Sequence, residues 1–283
     1  MNKILLTGAN GFIGKALVAR LDQDKIPYYM LTRSQGDMLS PSTWENLPND
    51  VDCVVHLAGQ NFVPDSWKNS SHFLDTNVMG TSLALDYAKK VNAHLIYISA
   101  YLYGIPKSLP VDEEHPVEPN NPYALSKFLA EQVCAFRSKY FQQDVTVLRL
   151  FNVYGPQQRI EFLIPSLIKQ ALGKKEIRVL DLKPKRDFIY INDVVDAIMK
   201  CIPIRNGFDI FNIGSGESYS VQEVIQTIQK IQNTDLPVSS EAVERKQEIS
   251  NVVADISKAR KKLNWEPSIS LVEGLTLTMK AFV

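Results

Sequence analysis

Lys3-Ile4-Leu5-Leu6-Thr7-Gly8-Ala9-Asn10-Gly11-Phe12-Ile13-Gly14 is the stretch on which the fold turns. Ile4 to Thr7 is a short apolar run of the kind shown by a parallel strand buried on both faces. Three glycines at three-residue spacing follow, and then Ala16, Leu17, Val18 and Leu21 recur as in a helix. Strand, glycine-rich turn and helix in this order bring backbone N–H groups and a helix N-terminus to a pyrophosphate. The spacing is G-x-x-G-x-x-G, not the G-x-G-x-x-G of the standard dinucleotide fingerprint, so the glycines alone could equally mark a tight turn. Their neighbours have to decide.

Further buried strands are expected at residues 28–31, 52–59, 95–98 and 145–151, each apolar and short. Helical patterns lie between them, one begun by Ser40-Pro41-Ser42, one from Asn77 to Lys90, one from Asn121. This alternation with short links predicts an α/β fold, a doubly wound parallel sheet of the Rossmann type. In such a sheet ligands bind outside the carboxyl ends of the strands. The groups placed there are Thr32-Arg33, the small residues Leu57-Ala58-Gly59, and Ser99. An acid after the second strand would bind the adenosine 2′-hydroxyl, whereas the guanidinium of Arg33 and the hydroxyl of Thr32 suit a 2′-phosphate. That favours NADP(H), with NAD(H) as the alternative. His56 reads as a packed strand-end residue, and nothing near it has metal-ligand spacing.

Asn121-Pro122 reads as a helix start. Tyr123 and Lys127 then share one helix face, four residues apart. An ammonium beside a phenol favours the phenolate and lowers its pKa, so the pair could pass a proton at neutral pH. The same spacing also occurs on ordinary amphipathic helices. Downstream, helices are expected around Phe162 to Ile168, after an Asn192-Asp193 cap, at 221–231, 257–263 and 271–282, with strands at 177–180 and 208–213. Residues 233–250 read as polar loop, and Asp112-Glu113-Glu114 as a solvated acidic run. The expected division is a dinucleotide-binding unit over 1–158, to which 187–216 returns, and a smaller C-terminal α/β substrate-binding lobe from 159–186 and 217–283.

The 283 residues are 45% hydrophobic and 22% charged with a formal net charge of zero, which offers no basic field for nucleic acid or an anionic membrane. No apolar run approaches a bilayer span, and the N-terminal run is too short for a signal peptide. Cys53, Cys134 and Cys201 are odd in number and far apart, as expected of buried thiols in a reducing, cytoplasmic setting.

The stretches TGANGFIG, GDM, VDCVVHLAG, ISAYLYG, YALSK, LRLFNVYGP, KRDFIYINDVVDAI, FNIGSG and ISKARKKLNWEP, in this order, resemble the extended short-chain dehydrogenase/reductases of the NAD-dependent epimerase/dehydratase family. The resemblance covers nearly the whole chain and implies a nucleotide-sugar substrate. It places Gly8, Gly11 and Gly14 at the cofactor pyrophosphate, Phe12 and Ile13 among the cofactor-binding residues, and Asp37 and Met38 at the adenine. Leu57, Ala58 and Gly59 would line the dinucleotide channel, with Asn77 close by. Ser99 would polarise the reacting sugar oxygen, Tyr123 would exchange the proton, and Lys127 would lower the Tyr123 pKa and hold the nicotinamide ribose. Asn152 and Arg186 would grip the substrate diphosphate, with an ion pair to Asp187 or another acid as the competing use for Arg186. The resemblance also implies a homodimer through the helices near Asn77 and Tyr123, whose apolar residues could equally serve the monomer core.

Two departures sharpen this. Family dehydratases resemble one another in an Asp-Glu pair after the catalytic hydroxyl residue, and here Ala100 and Tyr101 stand there. Family 4-epimerases usually carry an acid where this chain has Thr32-Arg33. Together these point to an NADPH-dependent reductase of a nucleotide-activated 4-keto-6-deoxy hexose. An NAD-dependent 4-epimerase is the rival, and a non-catalytic dinucleotide sensor a third reading.

Overall fold

A computed structural model describes residues 3–173, 175–241 and 249–282. Strands β1 (Ile4–Thr7), β2 (Tyr28–Leu31), β3 (Cys53–His56), β4 (His94–Ala100) and β5 (Val145–Leu150) join Phe208–Ile213 in one six-stranded sheet. All pairings are parallel, and the order across the sheet is β2, β1, β3, β4, β5 and Phe208–Ile213. The chain leaves β1 to lay β2 on one side and returns to lay β3 on the other. That reversal opens a crevice at the carboxyl ends of β1 and β3, where an open α/β sheet takes its ligands.

The sheet strands lack polar alternation because both faces are covered. Ile4, Leu6, Val55 and Ile96 pack in one apolar cluster, which includes Leu17 and Leu21 of helix α1 (Phe12–Gln23) and Val194 and Ile198 of the Ile191–Cys201 helix. Leu5, Val54, Leu95, Tyr97 and Val147 pack in another, with Ala84 and Leu85 of the Gly80–Lys90 helix and Ala130 and Cys134 of the Pro122–Phe141 helix. A third cluster joins the Leu163–Leu172, Val221–Gln232 and Leu271–Lys280 helices over Tyr154, Phe188 and Tyr190. All three cysteines are buried and free.

Several sequence expectations are corrected. Asn192-Asp193 does not cap the Ile191–Cys201 helix, whose N-cap is Tyr190. The buried Asp193 carboxylate instead accepts bonds from Ser268 N (2.9 Å), Ser268 Oγ (2.8 Å) and Ile269 N (3.2 Å), tying the C-terminal segment to the sheet's helical layer. Glu113 is not wholly solvated: its Oε1 accepts from Asn212 N at 2.7 Å, and burial raises its pKa. The helix begun at Ser40 runs only over Pro41–Glu45. Residues 152–154 and 188–190 form a parallel pair that the sequence pattern did not announce. Val238–Ser240 pairs with Ile177–Val179 inside the stretch read as loop, and residues 242–248 of that stretch lie outside the described residues.

Asp193→Ala leaves two backbone donors without their acceptor, and should cost at least about 2 kcal/mol of unfolding free energy in a denaturant titration. A loss under about 0.5 kcal/mol, as for an uninvolved surface site, would contradict this role.

Candidate active site

The turn after β1 fits backbone against backbone. Gly8 has φ +71°, and a Cβ there would lie 2.7 Å from Ala58 N, so only glycine lets the ends of β1 and β3 meet this closely. A Cβ on Gly14 would lie 2.3 Å from the Gly8 carbonyl oxygen. Helix α1 starts at an exposed N-cap, Gly11, which no side chain caps, and its first turn contains no acid. Phe12 and Ile13 occupy that first turn. An uncapped N-terminus at the mouth of the crevice suits a bound diphosphate.

β3 runs into Leu57, Ala58 and Gly59. Thr7 Oγ1 accepts from Ala58 N at 3.1 Å and lies 2.8 Å from His56 Nδ1, which holds the strand end in place. Burial and the nearby Lys127 charge depress the His56 pKa to about 3, so this imidazole is neutral and packed, as its sequence position suggested.

Asn77 lies within a π-helical turn, Asp75–Met79, rather than the ordinary helix expected from Asn77 onward. Single π-turns inside helices frequently mark functional sites. The Asn77 amide accepts from Gln60 N at 2.8 Å and donates to Gln60 O at 3.0 Å and to Ser126 Oγ at 2.8 Å. Ser126 Oγ in turn donates to Tyr123 O at 2.7 Å. Asn77 and Ser126 thus lock the segment at Gly59-Gln60 after β3 to the helix that carries Tyr123 and Lys127. The wider pattern gave Asn77 a position near the cofactor but no signal for Ser126; a buried serine between Tyr123 and Lys127 was the only available cue.

The Pro122–Phe141 helix begins as its sequence predicts. Asn121 caps it through Ala124 N at 2.9 Å, and Pro122 occupies the first turn. Lys127 is only 7% exposed, with Nζ 4.4 Å from the centroid of the Tyr97 ring. Burial lowers its pKa to about 8, against the raising influence of Glu131. The Tyr123 ring packs edge-on against Phe73. Burial holds the Tyr123 pKa above its ordinary value. The expectation that Lys127 lowers this pKa is therefore corrected: burial raises it, and the ammonium lies over the Tyr97 ring. Ser99, 3% exposed at the end of β4, has a buried Oγ with no hydrogen-bond partner among the described residues. A buried hydroxyl left without a partner and a buried ammonium with only a ring face are groups that a polar ligand would satisfy.

The remaining expected contacts are looser. Arg33 and Asp37 are exposed on the loop after β2, where Thr32 N donates to Gln35 Oε1 at 2.7 Å. Met38 packs against Gly80 and accepts a bond from Trp44 Nε1 at its carbonyl. The Asn152 amide donates to Asp187 O at 3.1 Å, so it is engaged in the strand pairing. Asp187 spends its carboxylate on Ser215 N, Ser215 Oγ, Gly216 N and Ala254 N. Arg186 donates to the carbonyls of Lys185 and Ile249, and its charge opposes the burial that raises the Tyr101 pKa. Tyr101 packs edge-on against Tyr103 and Phe151. No group of three His, Cys, Asp or Glu among the described residues has metal-site geometry, and no helix among them is long and apolar enough to cross a membrane.

The sequence profile of the NAD dependent epimerase/dehydratase family matches residues 4–214. The chain belongs to this family. Among curated epimerase/dehydratase-type relatives, the GDP-6-deoxy-D-mannose reductase of Pseudomonas aeruginosa is 30% identical over 96% of this chain and 94% of that enzyme. A putative UDP-glucose 4-epimerase of Methanocaldococcus jannaschii is 31% identical over 96% and 95%. The structure of RMD from Pseudomonas aeruginosa complexed with NADPH superposes with a TM-score of 0.92 at 29% identity, over 100% of this chain and 99% of that one. Like these relatives, this family member is an extended short-chain dehydrogenase/reductase, and nucleotide-sugar chemistry is the theme they share.

The free protein should show the Lys127 ammonium titrating near pH 8, followed by nitrogen-15 NMR. A midpoint near the ordinary lysine value of about 10.4 would contradict the buried geometry. The sign for stability follows. The folded state carries the cost of the buried ammonium below pH 8, and that cost is relieved as pH rises from about 8 towards the unfolded value of 10.5.

Proposed function

We propose that this chain reduces a nucleotide-activated 4-keto-6-deoxy hexose at the expense of NADPH. The observation that carries this reading is the exposed Arg33 guanidinium at the end of β2, where no acid stands to favour an unphosphorylated ribose. The turn at Gly8, Gly11 and Gly14 and the uncapped start of α1 would take the diphosphate, and Leu57-Ala58-Gly59 would face the dinucleotide. Lys127, whose Nζ lies over the Tyr97 ring and has no hydrogen-bond partner among the described residues, would hold ribose hydroxyls. When bound, the dinucleotide supplies the hydride that reduces the keto carbon.

The chain's own residues do the rest. Ser99 Oγ donates to the carbonyl oxygen and fixes its direction. Tyr123 OH delivers the proton to that oxygen, and its raised pKa makes it a proton donor at neutral pH. Their contribution is positioning and electrostatics rather than covalent chemistry. Ala100 and Tyr101 offer no carboxylate to expel a hydroxyl, which counts against dehydration. The 4-epimerase relative supports a second reading, in which Tyr123 first takes a proton and the hydride returns to the same sugar.

NADPH oxidation is expected in a one-to-one ratio with a 4-keto-6-deoxy nucleotide sugar. No NADPH consumption across guanosine, thymidine and uridine diphosphate sugars of this kind would overturn the proposal. Tyr123→Phe should lower kcat by at least about 10²-fold, the usual contribution of a positioned acid, with NADPH affinity within about twofold.

We also propose a homodimer through the Pro122–Phe141 helix. Leu125, Leu129, Phe136 and Tyr140 are exposed at spacings that share one face, and Met79, close to Asn77 in sequence, is exposed as well. Light scattering should give twice the chain mass of 31.9 kDa, and Phe136→Glu with Tyr140→Glu should give the monomer. A monomeric wild-type chain at micromolar concentration would overturn it.

A further inference from the structure

Beneath the site, the same helix face that carries Tyr123 and Lys127 continues one turn on to Glu131. Glu131 is fully buried and paired with Arg149 of β5, whose side chain is 4% exposed. Arg149 Nη2 donates to Glu131 Oε2 at 2.7 Å, and Nε donates to Oε1 and Oε2 at 3.1 and 3.2 Å. Arg149 Nη1 donates to Tyr103 OH at 2.9 Å, which donates to Asn212 Oδ1 at 2.6 Å. Arg149 is also the register partner of Ser99 across the β4–β5 pair. One planar guanidinium therefore joins the helix of Tyr123 and Lys127 to Tyr103 in the segment after β4, from a residue in register with Ser99.

A buried ion pair is a poor way to make a core stable, because two apolar side chains of similar volume often do as well or better. A forked cation does fix distance and angle, which an apolar contact does not. We propose that Glu131 and Arg149 are positioning residues, whose pair sets the register of the Tyr123 and Lys127 helix turn against Ser99. This rests on the reading of those three residues as the reacting site, and it holds for either direction of proton movement.

The test uses the full-length chain with Glu131→Leu and Arg149→Met together, which leaves neither partner of the pair as an unpaired buried charge. Expected are an unchanged melting temperature, a kcat lower by about tenfold or more, and a substrate KM and NADPH dissociation constant within about twofold, since ångström-scale misplacement of reacting groups costs up to about 10²-fold in rate. Amide hydrogen exchange should rise in residues 123–127 and stay unchanged in β1 and β3. Should the double variant fail to fold, Arg149→Lys keeps the charge paired while losing the fork, and should show the same fall in kcat and the same local exchange. Wild-type kcat and wild-type exchange in either folded variant would overturn the proposal. A wild-type chain without sugar turnover would instead count against the proposed function, and the exchange measurement would still decide the positioning role.

Discussion

A lysine ammonium buried on the sheet-facing side of a helix is the constraint around which this site is arranged. Taking Lys127 out of water is unfavourable, and the surroundings offset that cost only in part. The Tyr97 ring lies under Nζ, and Glu131 supplies negative charge from the same helix face. Gly59 leaves the space above open, since a Cβ there would meet Asn77 Oδ1 at 2.8 Å and come within 3.8 Å of Nζ. Asn77 and Ser126 hold the helix to the segment after β3 at that level. The outcome is a buried charged donor at the carboxyl edge of the sheet, short of acceptors among the described residues.

The order of the sheet strands makes such a site accessible. Because β2 and β3 lie on opposite sides of β1, the turns after β1 and β3 face one crevice, and Gly8 allows their backbones to touch Ala58. β4 ends beside that crevice with Ser99, and the helix between β4 and β5 carries Tyr123 and Lys127. Groups from four separate stretches of sequence thereby come to one edge.

Much of this was legible in the sequence because burial on both faces writes continuous apolar runs. The strands at 28–31 and 208–213 coincide with their expected bounds, and the Asn121-Pro122 start caps its helix as expected. What was illegible depends on long-range partners. Asp193 looks like a local cap but bonds to residues 268 and 269, seventy-five positions away. Glu113 looks solvated until the backbone of Asn212 reaches it. The π-turn at Asn77 has no periodicity signature of its own. The lowering of the Tyr123 pKa by Lys127 failed as an expectation because helical spacing fixes the shared face, not where a flexible amine points.

Reductases and 4-epimerases at about 30% identity to this chain share its frame, so the frame does not choose between them. The choice lies in where the hydride ends, and the direct measurement is isotopic. NADPH deuterated at the nicotinamide C4 is supplied with a 4-keto-6-deoxy nucleotide sugar. The account predicts one deuterium on the former carbonyl carbon for each NADP+ formed. An unlabelled 4-keto sugar with NADPH unconsumed, while a 4-hydroxy nucleotide sugar is inverted at C4 without label from the added NADPH, would contradict it.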